Sequence, residues 1–182
     1  MVTTRERALD AALALVGDEG IRALTHARVD ARAQLPKGST SNWFRTRDAL
    51  VAGVVTWLAE SERADLAAGG MPVIETPDQL VDAFTGMILA QTGPFASRTR
   101  ARYALFLESV GSPDLLAPLL DQRRAYVAWT TDLLARIGAR HPDEAVRTLM
   151  AAADGLVLHR VTVDPDAPVQ PLIARAVAAC MH

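Results

Sequence analysis

From residue 37 to residue 42 the chain reads Lys-Gly-Ser-Thr-Ser-Asn, a run of small, hydrogen-bonding or basic residues with no acid among them. Lys37 supplies a positive charge suited to a phosphate oxygen. The hydroxyls of Ser39 and Ser41 can donate and accept, and the amide of Asn42 matches the paired donor and acceptor on an adenine edge. Such a surface has nucleic acid as its natural partner. Thr25, Arg28, Trp43 and Arg45 flank it and complete the set of expected DNA contacts. Lys37 and Arg45 are assigned mainly to phosphates, and Ser39, Ser41 and Asn42 to base edges. Leu35, Gly38, Thr40 and Phe44 are assigned to packing.

Those side chains need a scaffold, and the neighbouring residues predict one. Thr25 is a good N-cap, its hydroxyl accepting from an orphan backbone N–H. Val29 and Ala33 sit four apart on one helical face, with Ala27 and Ala31 beside them. Gln34-Leu35 makes a turn, and Pro36 suits the first position of a second helix running to about Trp43. Two short helices joined by a tight turn form a helix-turn-helix, whose second helix enters a DNA major groove.

The run Ala33-Gln-Leu-Pro-Lys-Gly-Ser-Thr-Ser-Asn-Trp-Phe, followed by Arg45-Thr-Arg-Asp-Ala-Leu50, resembles the signature of TetR-type transcriptional regulators. It departs from that pattern at three places: Gln34 where a turn Gly is common, Pro36 where Ser is common, and Ser41-Asn42 in place of an aromatic pair. The resemblance implies a helix-turn-helix head, a helical ligand-binding body and a dimer. It also places the segment Asp154-Gly-Leu-Val-Leu-His-Arg160 in the eighth helix, which with the ninth would build a four-helix dimer bundle.

Composition agrees with a folded, helical chain. Half of the 182 residues are hydrophobic, only 5% are aromatic, and Ala and Leu dominate. The formal charge of −2 argues against nucleic acid, but its distribution does not: residues 1–50 hold eight Lys/Arg against six Asp/Glu, and the remainder eleven against fifteen. No apolar run reaches the ~18 residues of a membrane span, and the N-terminus lacks a signal-peptide core. Cys180 is the single cysteine, which excludes an internal disulfide. A cytoplasmic protein without membrane partners is expected, with Cys180 buried rather than poised to crosslink.

Taken in order, the periodicity predicts about nine helices and no strand, an all-α fold with a helix-turn-helix domain at 1–46 and a ligand-binding and dimerisation domain at 47–182. Ala8, Leu9, Ala12, Leu13 and Val16 form the stripe of a first helix from about Thr3 or Thr4 to Val16, with Gly17 and Gly20 bracketing the stop. Arg5 and Arg7 near its start either reach phosphates or sit on a solvated end. Thr46 caps the fourth helix, where Leu50, Val51, Val54, Val55 and Leu58 keep helical spacing. Thr76-Pro-Asp-Gln79 reads as a capping box. Ser97 opens the sixth helix, carrying Tyr103, Phe106, Leu107 and Val110 to a stop at Gly111. Ser112 caps the seventh, which Pro118 should break into a short turn and a long helix. Helices from Pro142 and Pro171 close the chain.

Leu149, Ala153, Leu156, Val157, Ile173, Ala176 and Val177, on the last two helices, are the expected dimer interface. Given the resemblance, Met87, Arg102, Tyr103, Phe106, Trp129 and Met150 are the candidates for lining a cavity that takes a small-molecule effector. Arg98 and Arg102 share a face, suited either to a carboxylate ligand or to ion pairs in solvent. The four histidines are scattered and there is no Cys/His spacing, so neither a metal nor a cofactor is expected. No phosphate loop, nucleophile elbow or His-Glu-x-x-His occurs, so no catalytic residues are assigned and an enzyme is not expected. The expected function is ligand-responsive regulation of transcription, with repression from a palindromic operator. The alternatives are a small-molecule-binding helical protein or cryptic enzyme with a vestigial helix-turn-helix, and a plain dimerisation module.

Overall fold

The computed structural model describes residues 3–70, 72–109 and 113–181. These fold into α1 (Thr4–Glu19), a 3₁₀ turn (Ile21–Ala23), α2 (His26–Arg32), α3 (Ser39–Trp43), α4 (Arg47–Gly69), α5 (Pro77–Thr92), α6 (Ala96–Glu108), α7 (Pro113–Arg136), α8 (Pro142–Thr162) and α9 (Gln170–Cys180). No strand occurs among the described residues, and the fold is all-α. The packing divides the chain into two compact units. The first comprises residues 1–69 and 97–122, the second 70–96 and 123–182. A functional boundary at residue 46 falls inside the first unit, because α4 shares its core with α1.

Local chemistry explains most helix ends. Thr3 caps α1 in a capping box: its hydroxyl accepts from Glu6 N–H, and the Glu6 carboxylate accepts from Thr3 N–H at 2.6 Å. The hydroxyls of Thr25, Thr46 and Thr76 accept from the N–H of Arg28, Ala49 and Gln79 at 3.4, 3.1 and 3.3 Å. The Gln79 amide oxygen takes the N–H of Glu75 at 2.7 Å, one residue before the cap that a capping box would use.

Several expected boundaries shift. α1 does not stop at Gly17 but runs through it to Glu19, and Gly20, at φ +83°, makes the stop. Gly17 serves a close approach: a Cβ there would fall 2.0 Å from the carbonyl oxygen of Ser97. Pro36 is not the first residue of a helix. Pro36–Gly38 form a turn, closed by Ser39 N–H donating to Pro36 C=O at 3.1 Å, and α3 begins after Gly38, at φ +88°. Pro118 does not divide α7, which is one helix with the proline inside it. Leu107 is three-quarters exposed rather than in the core. The stop at Val110-Gly111 and the cap at Ser112 lie outside the described residues.

In the first unit, Leu9, Ala12, Val16, Leu24, Val29, Phe44, Leu50, Val54 and Leu58 make one apolar core with Ala101, Leu105 and Leu119. Trp57 packs at its margin and donates its indole N–H to Asp10 at 2.7 Å. In the second unit, α5, α8 and α9 pack on one another. Leu80, Phe84, Ile88, Leu149, Ile173 and Val177 there have 0–2% exposure. No described helix is long and apolar enough to cross a membrane.

Candidate nucleic-acid interface and ligand-binding residues

α2 ends in a Schellman motif. Leu35 N–H donates to Asp30 C=O at 2.8 Å and Gln34 N–H to Ala31 C=O at 3.2 Å. The motif demands a left-handed residue, and Gln34 supplies it at φ +54°, the one non-glycine residue with positive φ among those described. The departure from glycine at this position therefore leaves the turn geometry in place, at a strain of roughly 1 kcal/mol.

Asp30 then fixes α3. Its carboxylate, 3% exposed, accepts from Gly38 N–H and Thr40 N–H at 2.8 Å each and from the Thr40 hydroxyl at 2.6 Å. Helix N-termini leave backbone donors unpaired, and here a buried acid from the preceding helix satisfies two of them. Burial opposes its charge, but the bonds from the Thr40 hydroxyl, Thr40 N–H and Gly38 N–H outweigh that and hold the Asp30 carboxyl below its ordinary value. Sequence reasoning missed Asp30. The available signal was a carboxylate on the apolar side of α2 with Thr40 ten residues on.

With Thr40 on α3 (0% exposed) and Phe44 at its C-cap (6%) turned inward, α3 presents its other side. Ser41, Asn42 and Trp43 are exposed, as are Thr25, Arg28, Lys37 and Arg45 nearby. Ser39 is half-buried and donates its hydroxyl to Pro36 C=O at 2.7 Å. Arg28 is already ion-paired with Glu19. Lys37 and Arg45 have no carboxylate partner among the described residues. Asp30 is inside, Asp18 pairs with Arg32 at 2.5 Å, and Glu19 pairs with Arg28. An exposed surface of positive and neutral donors results. Arg7 is structural, donating to Ala33 C=O at 2.8 Å, and the Arg5 guanidinium lies 5.5 Å from the Phe44 ring centre. The His26 ring hydrogen-bonds the Phe44 carbonyl at 2.6 Å, tying the ends of α2 and α3 together.

The six expected ligand-binding residues divide between the two units. Arg102, Tyr103 and Phe106 belong to the first, where Arg102 is ion-paired with Glu62 and its guanidinium lies 5.4 Å from the Phe106 ring centre. Arg98 pairs with Asp65 at 2.6 Å, so of the two readings of that basic face, ion pairing is the one observed. Met87, Trp129 and Met150 belong to the second unit. Tyr126, which sequence reasoning missed, joins two of them: its hydroxyl donates to Met87 Sδ at 3.3 Å, and its ring stacks on Trp129 with centres 5.9 Å apart. Burial pushes the Tyr126 phenol up to about 12. Met150 lines a separate groove of about 320 Å³ with Arg123, Val127, Val146, Arg147, Ala151 and Asp154.

The expected dimer residues are mostly buried in the single chain. Leu149, Ala153, Leu156, Val157, Ile173 and Val177 are 0–7% exposed within the single chain, and Ala176 is half-buried. These six already pack within their own unit. The open side of α8 carries Ala151, Gly155 and Leu158, and that of α9 carries Leu172. Among the described residues no three His, Cys, Asp or Glu side chains are grouped to hold a metal ion.

The described residues form nine α-helices, with a helix-turn-helix near the start of the chain. Residues 75–181 match the family model described as tetracyclin repressor-like, C-terminal domain. The chain belongs to this family, the TetR-type transcriptional regulators. A solved TetR family member from Streptomyces coelicolor A3 is 25% identical, with a TM-score of 0.72 over 98% of each chain. The multidrug binding protein EbrR complexed with ethidium is likewise 25% identical, with a TM-score of 0.71 over 99% of each chain. A TetR-family transcriptional regulator from Streptomyces coelicolor, 23% identical, shares the fold at a TM-score of 0.77 over 98% of this chain and 94% of its own. No curated protein matches the sequence.

Proposed function

We propose that the chain is a ligand-responsive repressor that binds a two-fold symmetric operator as a homodimer and releases it when a small molecule occupies the helical body. The DNA-binding part is residues 1–46, and the remainder binds ligand and dimerises. The observation that carries this reading is the exposed, acid-free surface of Ser41 and Asn42 on α3 and Lys37 in the turn before it, with the start of α3 locked by Asp30. On this reading Asn42 and Ser41, both exposed, go to base edges, with Ser39 and Trp43 at the margins. Lys37 and Arg45 go to phosphates. Arg28 contributes as part of its pair with Glu19. Two copies joined through the open sides of α8 and α9 would set two α3 helices about 34–36 Å apart, one DNA turn. An effector then acts by its differential affinity for dimers with and without that spacing.

The test is a mobility shift with DNA upstream of the protein's own gene at about 0.1 M salt. A specific shift is expected, and its absence with every flanking fragment overturns the reading. Lys37→Ala should weaken binding to all sequences alike and flatten the salt dependence by about one unit. An unchanged slope removes Lys37 from the contacts. Because the similar EbrR structure holds ethidium, that dye is the first effector probe. Its binding is read without DNA by quenching of tryptophan fluorescence, with Trp129 beside Tyr126 as the expected reporter.

A further inference from the structure

The last turn of α1 is held from two sides. From α6, the Ser97 hydroxyl donates to Asp18 Oδ1 at 2.6 Å, Arg100 Nε donates to Gly17 C=O at 2.8 Å, and Arg100 Nη2 lies 3.6 Å from Asp18 Oδ1. The fit there is tight, since any side chain at Gly17 would strike the Ser97 backbone. From α2, Arg32 Nη2 donates to Asp18 Oδ2 at 2.5 Å, while Arg32 Nη1 sits 3.6 Å from Glu19 and Arg28 pairs with the same acid. The two oxygens of Asp18 are thus divided, one facing α6 and the other facing α2. Two residues from Arg32, on the same helix, Asp30 grips the start of α3.

We propose that Asp18 is a positioning residue that couples the start of α6 to the helix-turn-helix, so that moving one re-aims the other. The path runs from Ser97 through Asp18 and Arg32 into α2, and from Asp30 into α3. Each link is a directional hydrogen bond to a carboxylate, stronger than a neutral one. A carboxylate held by donors on both sides cannot rotate to follow one without straining the other. The consequence for DNA rests on the function proposed above; the coupling itself does not.

Hydrogen exchange by mass spectrometry on the full chain tests it without DNA or effector. Ser97→Ala lies on α6, away from the α3 surface. It should speed amide exchange across residues 26–43 roughly three- to tenfold, leaving α8, α9 and the melting temperature unchanged. Asp18→Asn should do the same, and the double variant should add nothing further. Unchanged exchange at residues 26–43 in Ser97→Ala, a uniform acceleration along the whole chain, or additive effects in the double variant would each overturn the coupling. Ser97→Ala should also weaken operator binding about three- to tenfold. If the wild-type chain binds no DNA, the functional reading falls while the exchange measurement still decides the coupling.

Discussion

Asp30 shows how much one side chain settles. A buried carboxylate with three donors is worth keeping only while all three are present, because hydrogen bonds to a charged group contribute ~1.5–3 kcal/mol and an orphaned partner costs as much. In Asp30→Asn the new amide turns a donor toward a donor. The variant should lose about 1–3 kcal/mol in thermal or urea denaturation and bind operator more weakly, since α3 loses its anchor. The pH dependence has a definite sign. The folded Asp30 carboxyl lies below the ordinary value of 3.8. Its stabilisation is therefore complete above about pH 4 and is lost as the pH falls through the folded value. Asp30→Asn should flatten that acid limb, and an acid limb identical to wild type would contradict the account. Neither this role nor the strain at Gln34 was legible in the sequence. Asp30 depends on a threonine ten residues away in another helix, and Gln34 adopts a backbone conformation that its residue type does not advertise.

At the scale of elements, the helices were legible where their signals are local. Thr25, Thr46 and Thr76 act as caps, and the stripes of α1 and α4 are buried as their spacing predicts. Errors came where a residue does something other than its local habit. Gly17 looks like a stop but is a contact, and Pro36 looks like a helix start but sits in a turn. Gly53, inside α4, is a close approach as well: a Cβ there would come within 2.4 Å of Phe44 Cε1. By propensity alone, Gly53→Ala should stabilise α4 by about 0.5–1 kcal/mol. Against that stands overpacking of a buried ring, at ~1–3 kcal/mol. The contact should win, lowering stability by about 1 kcal/mol or more, with Phe44→Leu in the same chain recovering part of the loss. A rise in melting temperature for the single variant would show that the ring yields freely.

At the scale of the molecule, periodicity marked the apolar stripes of α8 and α9, and within the single chain those stripes are already buried. In an Ala- and Leu-rich helix both faces are apolar, so the spacing identifies a stripe without saying what covers it. α8 uses Leu149, Ala153 and Leu156 inside its own unit and leaves Ala151, Gly155 and Leu158 outside. Gly155 offers a clean test, because nothing lies within 4 Å of a Cβ added there. Glutamate is also the better helix former, by roughly 0.5–1 kcal/mol. Gly155→Glu should leave the single chain folded and as stable as before, and, if the proposed dimer uses this face, convert it to a monomer in sedimentation. Persistence of the dimer would move the interface elsewhere. The buried Cys180 adds a practical tool. Its thiol donates to Ala145 C=O at 3.2 Å, and burial raises its pKa. Thiolate reagents should therefore ignore the native protein and react only as α9 lifts away, so the rate of labelling becomes a stopwatch for the opening of the C-terminal helices, read without adding a dye or a tag.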